Sequence, residues 1–546
     1  MNLLPETRLQ IYGTKNVPEL SKQEEETMKK LLALALAAVM AIGVVVPAAR
    51  TEAAGKDVLV LANTAGEPGN VHPYDQVSIG GRIIQLMVFD GFVTIDKDGV
   101  VQPSLAESWE VTEDSITFHF RQDVTFTDGQ PMTMEDIMFS VDQMVNHSTG
   151  GQASNYTACD IDNMTATDDW TLVIPMKEAN SGQLGYFQDM YVVEKKAYEE
   201  MGDQYQYDPV ATGAFEIKDW VVGDHITLTA NPNYFKGAPQ LKQVIVRTIG
   251  EVSQAMIEVE TGGADVMNNP DGADLIRVLD GDVPGVKAVT ESSVVFRNNN
   301  LQFNHDSQYF GNVLVRRAVA YAIDREAWTP IISPGNGVPA YNNVAAGIPA
   351  YDPDFAAEYP YPHDVEKAKE LMAEAGFADG FTAIILTDNR AYHQALIELL
   401  IPALAEIGIK LDVQTMELNK QKEIMSTGKD YDLYLLDNVG NNADALSALW
   451  RDSNPEFSGD GGSCYQRFTL EKEGAQEYRD ILYAIRACVD DAKRAELCKQ
   501  MQRIFAEWLP WVPVNSIQGY VLAVEDLQDI DFLRDIIKIT YLTHFE

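Results

Sequence analysis

Residues 103–140 read PSLAESWEVTEDSITFHFRQDVTFTDGQPMTMEDIMFS, and the patterns in this stretch decide how the rest of the chain is read. From Ser115 to Thr125 apolar side chains alternate through Ile116, Phe118, Phe120 and then Val124, the period of a half-buried strand. Asp128-Gly129 breaks the run and predicts a hairpin, because glycine enters the left-handed backbone region without steric cost. Thr133 stands where a helix begins, with Asp136 three positions on as the carboxylate of a capping box. Trp109 adds a large apolar surface to bury.

Upstream, Val58-Leu-Val-Leu-Ala62 predicts a buried first strand that stops at the polar turn Asn63–Pro68. Gly80–Phe89 predicts a helix with Ile83, Ile84, Met87 and Val88 on one face. Downstream, His225–Ala230 alternates and ends at Asn231-Pro-Asn-Tyr234, and Gln243–Arg247 is another buried strand. Helices are expected over Val252–Glu260, Val315–Ile323, Val365–Ala375 and Ala391–Ile407, and short strands over Thr382–Leu386 and Ile409–Val413. That alternation of helix and strand predicts an α/β lobe.

The chain has 546 residues, too many for one ordinary core, and its 46% hydrophobic content suits packed globular domains. Lys and Arg total 41 against 82 Asp and Glu, a net charge of -41 that opposes binding to nucleic acid or anionic lipid. The carboxylates are dispersed, as on a solubilising surface. The cysteines, Cys159, Cys464, Cys488 and Cys498, include no C-x-x-C pair, so neither a zinc ribbon nor a disulfide framework is indicated; Cys488 and Cys498 are spaced to pair across a helical turn.

No metal or cofactor is expected, since His72, His119, His147, His225, His305, His363, His393 and His544 include no i, i+4 pair. No G-x-S-x-G, H-E-x-x-H or Walker loop occurs, so no catalytic residue is predicted. A secreted hydrolase working with paired carboxylates is the rival from another class, and such pairs are inevitable among 82 acidic residues. A holdase would call for a Met-rich surface, but the 18 Met are scattered.

Lys29 and Lys30, the apolar run Leu31–Val46 and the small-residue stretch from Pro47 to Ala53 have the three-part form of a secretory signal peptide over 28–53. The apolar run falls short of the roughly 20 residues that span a bilayer. Residues 1–27 precede a complete signal and are expected to reflect a start codon placed too early. No cysteine precedes Cys159, so no lipobox thiol is present, and an exported, soluble protein at the periplasmic or extracytoplasmic face is expected.

Several blocks carry a family likeness. Pro103–Trp109, Ile116–Arg121, Val124–Gly129 and Met134–Ser140 resemble the signature of the family 5 extracytoplasmic solute-binding proteins, the group of oligopeptide, dipeptide and nickel receptors of ABC importers. The likeness continues, in the family's order, through Pro209–Phe215, Asn231–Gly237, Gly263–Val266, Val315–Arg325, Val365–Lys369 and Ile407–Lys410. It implies a two-lobed α/β protein of the periplasmic-binding-protein type (class II, cluster C) with an extra domain inserted in lobe one. Lobe one would comprise 54–97, 206–300 and 509–546, the inserted domain 98–205, and lobe two 301–508, with two or three chain crossings as a hinge. Arg317, Asp324 and Arg325 are expected to make helix-packing ion pairs, and Gly213 to serve a strand-to-loop bend. The implied partners are a small-molecule or peptide ligand and ABC permease subunits with cytoplasmic ATPases; a monomer is expected.

The same resemblance nominates the site. The family's peptide-lining loop falls on Val77, Ser78, Ile79 and Gly80, which read equally as a plain turn before a helix. Tyr431–Asp444 resembles the stretch in which a strand ends in Gly-Trp-x-x-Asp-x-x-Asp-Pro, whose first Asp holds a peptide's α-amino group. Here Asn438 replaces the Trp, Asn441 the Asp and Ala445 the Pro, so Asp437 or Asp444 would have to supply the charge. A peptide, a modified peptide, another polar solute and a nickel complex all remain open on these residues.

Overall fold

The computed structural model describes residues 56–546 apart from 97–98, 150–151, 291–296, 345–350, 440–445, 447–448, 451–452, 460–463 and 534–535. The expected signal segment at 28–53 and the residues before it lie outside the described residues.

Val58–Asn63 (β1) lies between two parallel neighbours, residues 243–248 and 266–268, and a strand so enclosed has both faces to bury. Leu59 and Leu61 enter one core, whereas Val60 and Ala62 enter the other. The helix Ile79–Val88 (α1) packs Ile83, Ile84, Met87 and Val88 into the first of these cores, as the sequence pattern requires.

A small hairpin, Val93–Ile95 (β2) with Val101–Pro103 (β3), leads to Ala106–Val111 (β4) and Ser115–Phe120 (β5). After the helix Met134–Asp142 (α2) come Thr165–Asp168 (β6), Thr171–Pro175 (β7), Gln183–Tyr186 (α3) and Lys195–Met201 (α4). Strands β4-β5-β7-β6 form one antiparallel sheet. The capping box at α2 is present as predicted. The strand expected to reach Thr125 ends instead at Phe120; beyond it Arg121 bonds Asp123 at 2.9 and 2.8 Å, and Thr125 forms an isolated bridge with Pro131. The hairpin beyond it closes with Gly129 at φ +88°.

This inserted stretch has its own sheet but shares its core. Phe92, Phe118, Phe120 and Phe187 pack within one apolar cluster that also holds Leu59 and Val244. Gly213 lies at the junction for a reason other than the expected bend: a Cβ there would come within 2.3 Å of the Val88 carbonyl group, and its N–H donates to that oxygen at 2.9 Å.

Phe215–Val221 (β8), His225–Ala230 (β9), Gln243–Thr248 (β10), Val252–Thr261 (α5), Val266–Asn268 (β11), Gly272–Leu279 (α6) and Val286–Thr290 (β12) complete the first lobe's main part. Its sheet runs in the order β12, residues 520–524, β11, β1, β10, β9, β8, with α5 and α6 packed on the Ala62 face.

The second lobe starts with Arg297–Phe303 (β13), Val313–Ala322 (α7), Arg325–Ile332 (α8), Gly337–Pro339 (β14), Pro353–Ala357 (α9) and Val365–Glu374 (α10). Phe381–Thr387 (β15), Ala391–Glu406 (α11), Ile409–Thr415 (β16), Leu418–Thr427 (α12) and Leu433–Val439 (β17) follow, then Ala475–Ala487 (α13), Asp491–Trp508 (α14) and Trp511–Ile517 (β18). The sheet order is β14-β18-β13-β17-β15-β16. Tyr520–Val524 (β19) then returns to the first sheet.

Consecutive strands lie in different large sheets at two places, β12 and β13, which end at Thr290 and start at Arg297, and β18 and β19, joined through 517–520. Strand pairing therefore moves both expected lobe boundaries. Residues 297–300, assigned to lobe one, open β13, and residues 511–517, also assigned there, form β18; the two strands pair with each other inside the second sheet. The ion pairs expected at Arg317 and Arg325 are replaced by carbonyl contacts, whereas Asp324 lies 3.4 Å from His363 Nδ1. Buried Arg325 donates to the Ala340 and Pro513 oxygens at 3.0 and 2.9 Å, Arg317 donates to Glu507 O at 2.8 Å, and Asp324 caps α8. A desolvated guanidinium needs acceptors, and main-chain oxygens meet that need. Cys488 and Cys498 are not joined in a disulfide.

Candidate functional site

Strand register brings two sheet edges to the same place. In the first lobe β1, β10 and β11 run parallel and end at Asn63, Thr248 and Asn268, beside the end of β12 and the start of β19, where the crossings leave and return. In the second lobe β15 and β17 run parallel, and the start of β13 pairs with the ends of β17 and β18. Both crossings thus join the carboxyl edges of the two sheets. Ligands of open α/β sheets bind outside such edges.

On the first edge Asn63 and Asn268 are buried and hydrogen-bonded together at 3.3 Å, and Thr64 N–H donates to Asn268 Oδ1 at 2.8 Å. The loop that follows is held by α1. Ser78 caps the helix by accepting from Gly81 N–H at 3.1 Å and donates to Pro68 O at 3.0 Å. A Cβ on Gly80 would lie 2.5 Å from Gly66 O, so this glycine allows close packing of helix on loop. Of the four nominated residues, Ser78 and Gly80 are engaged in that packing, Val77 is half-buried, and Ile79 is 50% exposed.

The second edge carries charge. Asp388 follows β15 directly, Arg390 precedes α11, Asp437 lies on β17 and Arg297 opens β13. Arg390 donates to Asp388 Oδ2 through Nε at 2.8 Å and Nη2 at 2.6 Å, to the Tyr392 hydroxyl at 2.6 Å, and to Asp437 Oδ1. Arg297 Nε is 3.7 Å from Asp437 Oδ2. His393, fully buried, meets Asp388 Oδ1 through Nδ1 at 3.0 Å, and its Nε2 has no partner among the described residues.

Burial works to raise the Asp388 pKa, but the bonds from His393 and Arg390 outweigh it and hold the carboxyl well below its usual range. Asp437 is likewise lowered against its burial by Arg390 and Arg297. Burial, with Asp437 nearby, pushes the Tyr392 hydroxyl up to about 12. Two arginines and two aspartates therefore stand ionised together, while the arginine side chains remain 29% and 30% exposed. Asp437, nominated as a charge for a ligand's ammonium, is already engaged by two guanidinium groups.

Asn438 pairs through its backbone with Asn298, and Asn441 and Asp444 lie outside the described residues. Arg297, Asp388, Arg390, Tyr392 and His393 were not nominated from the sequence. The signal was available: Thr387-Asp-Asn-Arg-Ala-Tyr-His393 is a polar, charged run at the carboxyl end of a predicted strand. No group of three or more His, Cys, Asp or Glu arranged to hold a metal occurs among the described residues.

Comparison with known proteins agrees with this architecture. The family described as bacterial extracellular solute-binding proteins, family 5 Middle, matches residues 100–459. Heme-binding protein A of Haemophilus influenzae is 27% identical over 453 residues, covering 77% of this chain and 80% of that protein. The glutathione-binding protein GsiB of Salmonella typhi is 26% identical over 468 residues, covering 84% and 89%. The ABC transporter-associated periplasmic binding protein DppA of Helicobacter pylori, solved with the peptide STSA, superposes with a TM-score of 0.72 at 20% identity, over 90% of this chain and 98% of that one.

Proposed function

The chain belongs to the bacterial extracellular solute-binding proteins of family 5, the receptors of ABC importers, and from that premise we propose that its solute is a small peptide bearing carboxylates. The observation that carries this reading is the pair Arg297 and Arg390, fixed on Asp437 at the carboxyl edge of the second sheet with part of each side chain accessible. Asp388, Tyr392 and Asp437 take four of the five Arg390 N–H donors, which leaves one Nη2 N–H, held in a set direction, for a charge-assisted bond to a ligand carboxylate. Glutathione and heme, named for two relatives, share little beyond a pair of carboxylates, and that shared chemistry matches two arginines.

Capture works by population shift: the ligand touches both sheet edges only when the lobes are together, so it stabilises that arrangement through differential affinity. The receptor then delivers its solute, chemically unchanged, to permease subunits. Export by the 28–53 segment puts it outside the cytoplasm, and no helix among the described residues is long and apolar enough to cross a membrane.

Calorimetric titration with reduced glutathione, its diethyl ester and trialanine, followed by mass spectrometry of the recovered ligand, tests the proposal. Glutathione should bind at least about tenfold more tightly than the ester, a difference of about 1.4 kcal/mol. Equal binding of the ester removes the carboxylate reading, and a chemically altered ligand removes the receptor reading.

A further inference from the structure

Away from the crossings, the two lobes touch through a small set of polar contacts. The Ser181 N–H donates to Arg486 O at 2.8 Å, and Ser181 Oγ donates to Ile485 O at 3.1 Å. Arg486 Nη2 lies 2.7 Å from Glu178 Oε1, and its guanidinium stacks 4.1 Å above the Trp450 ring. Residues 178–183 belong to the first lobe: Lys177 N–H bonds Ala158 O, Gln183 bonds Asn155 O, and Leu184 packs on the Phe118 core. Ile485 and Arg486 lie in the last turn of α13, which is packed in the second lobe through Tyr478, Leu482 and Ile485 against Phe505 and Trp511.

The chemistry at this contact is local and complete. The last carbonyls of a helix have no partner within it, and donors from outside satisfy them. Ser181 supplies two donors, and the Ile485 oxygen it reaches also accepts from the Cys488 N–H at 3.1 Å. A cation is favoured at a helix C-terminus, and Arg486 is held there between Trp450 and Glu178 with 9% of its side chain exposed. A second set of contacts between the lobes adjoins the crossing at 517–520. Asn336 and Gln518 exchange backbone and side-chain bonds of 2.9 and 3.1 Å, and Gly335 is packed so closely on α6 that a Cβ would come 3.2 Å from Ile276.

We propose that Glu178, Ser181 and Arg486 are the clasp of the capture cycle, a set of residues that fixes affinity by setting how much of the protein is closed. The crossing at 517–520 acts as pivot and stays joined, while the clasp is what opening must break. Trp450 braces the clasp from the second lobe. Apparent affinity scales with the closed fraction, so a weakened clasp lowers affinity for every ligand in equal proportion, unlike a lost ligand contact. The inference rests on capture by lobe closure but not on which solute is captured.

The test uses the whole protein without ligand. Amide hydrogen exchange of 178–183 and the scattering radius are compared among wild type, Glu178→Gln, Arg486→Gln and the double variant. Glu178→Gln is a conservative change on a half-exposed side chain and does not threaten the fold. In wild type the Ser181 amide should be protected. Each single variant should lower that protection about 3- to 30-fold and enlarge the radius, and the double variant should be no worse than the more affected single. No protection in wild type, or equal protection in all four proteins, overturns the clasp. Glutathione added to wild type reads the ligand proposal separately, because its failure to bind leaves the exchange result unaffected.

Discussion

Arg390 and Asp437, 47 positions apart in the chain, form an ion pair across the ends of the parallel strands β15 and β17. Asp437 also faces Arg297 from the antiparallel side, so one carboxylate sets the direction of two guanidinium groups. This arrangement separates residues that would touch a ligand from one that positions them.

Arg390→Gln should weaken glutathione binding about 10- to 100-fold, because it removes a charged donor from the ligand carboxylate. Asp437→Asn should instead lower stability by about 1–3 kcal/mol, less than for a wholly buried pair because both arginines are partly solvated. Its binding should fall less than that of Arg390→Gln by titration, because Asp388 and Tyr392 still hold Arg390. Loss of binding in Asp437→Asn alone would mean that this carboxylate holds the ligand's ammonium.

His305 predicts a pH dependence near neutrality. It is buried, and that burial, together with nearby Arg316, holds its pKa well below the ordinary value, despite the bond of its Nε2 to Pro510 O at 3.2 Å. A depressed folded pKa means that the unfolded chain binds the proton first, so stability is full above about pH 6.5 and falls as pH drops toward the folded value. In urea unfolding, the stability advantage of wild type over His305→Gln should shrink by about 1 kcal/mol between pH 6.5 and 5.5. A constant difference would place the proton elsewhere.

Gly213 and Gly223 should respond differently to alanine. A Cβ at Gly213 meets the main chain of Met87 and Val88, which cannot rotate away, and the loss should be about 2–3 kcal/mol with a lower melting temperature. Gly223, at φ +79°, has nothing within 4 Å of that position and should lose only about 1 kcal/mol, from backbone conformation. Equal losses would show that close approach is not what Gly213 provides.

Asp136 does more than cap a helix. One oxygen completes the capping box with Thr133, and the other accepts from Lys195 N–H at 2.9 Å, tying α2 to the start of α4. Thr133→Ala should therefore lower stability by about 1 kcal/mol and Asp136→Ala by about 2–3 kcal/mol in denaturant titration. The order reverses if the Lys195 bond carries no weight.

The local elements and the family are legible in the linear order of residues. Alternation predicted β9, helical spacing predicted α1 and α11, and the Thr133 and Asp136 spacing predicted the cap, because each depends only on residues within a few positions of one another. That order also carried the resemblance that the family match bears out, since those blocks are linear. Tertiary structure alone decided what depends on register between distant strands. β13 and β18 are separated by more than two hundred residues, and only their pairing shows that 297–300 and 511–517 belong to the second lobe. The shared core of the inserted stretch, the reason for Gly213 and the meeting of Arg297, Asp388, Arg390 and Asp437 are likewise products of packing. Charge complementarity among four residues from three strand ends has no linear pattern; it exists only once parallel strands bring their carboxyl ends to one edge.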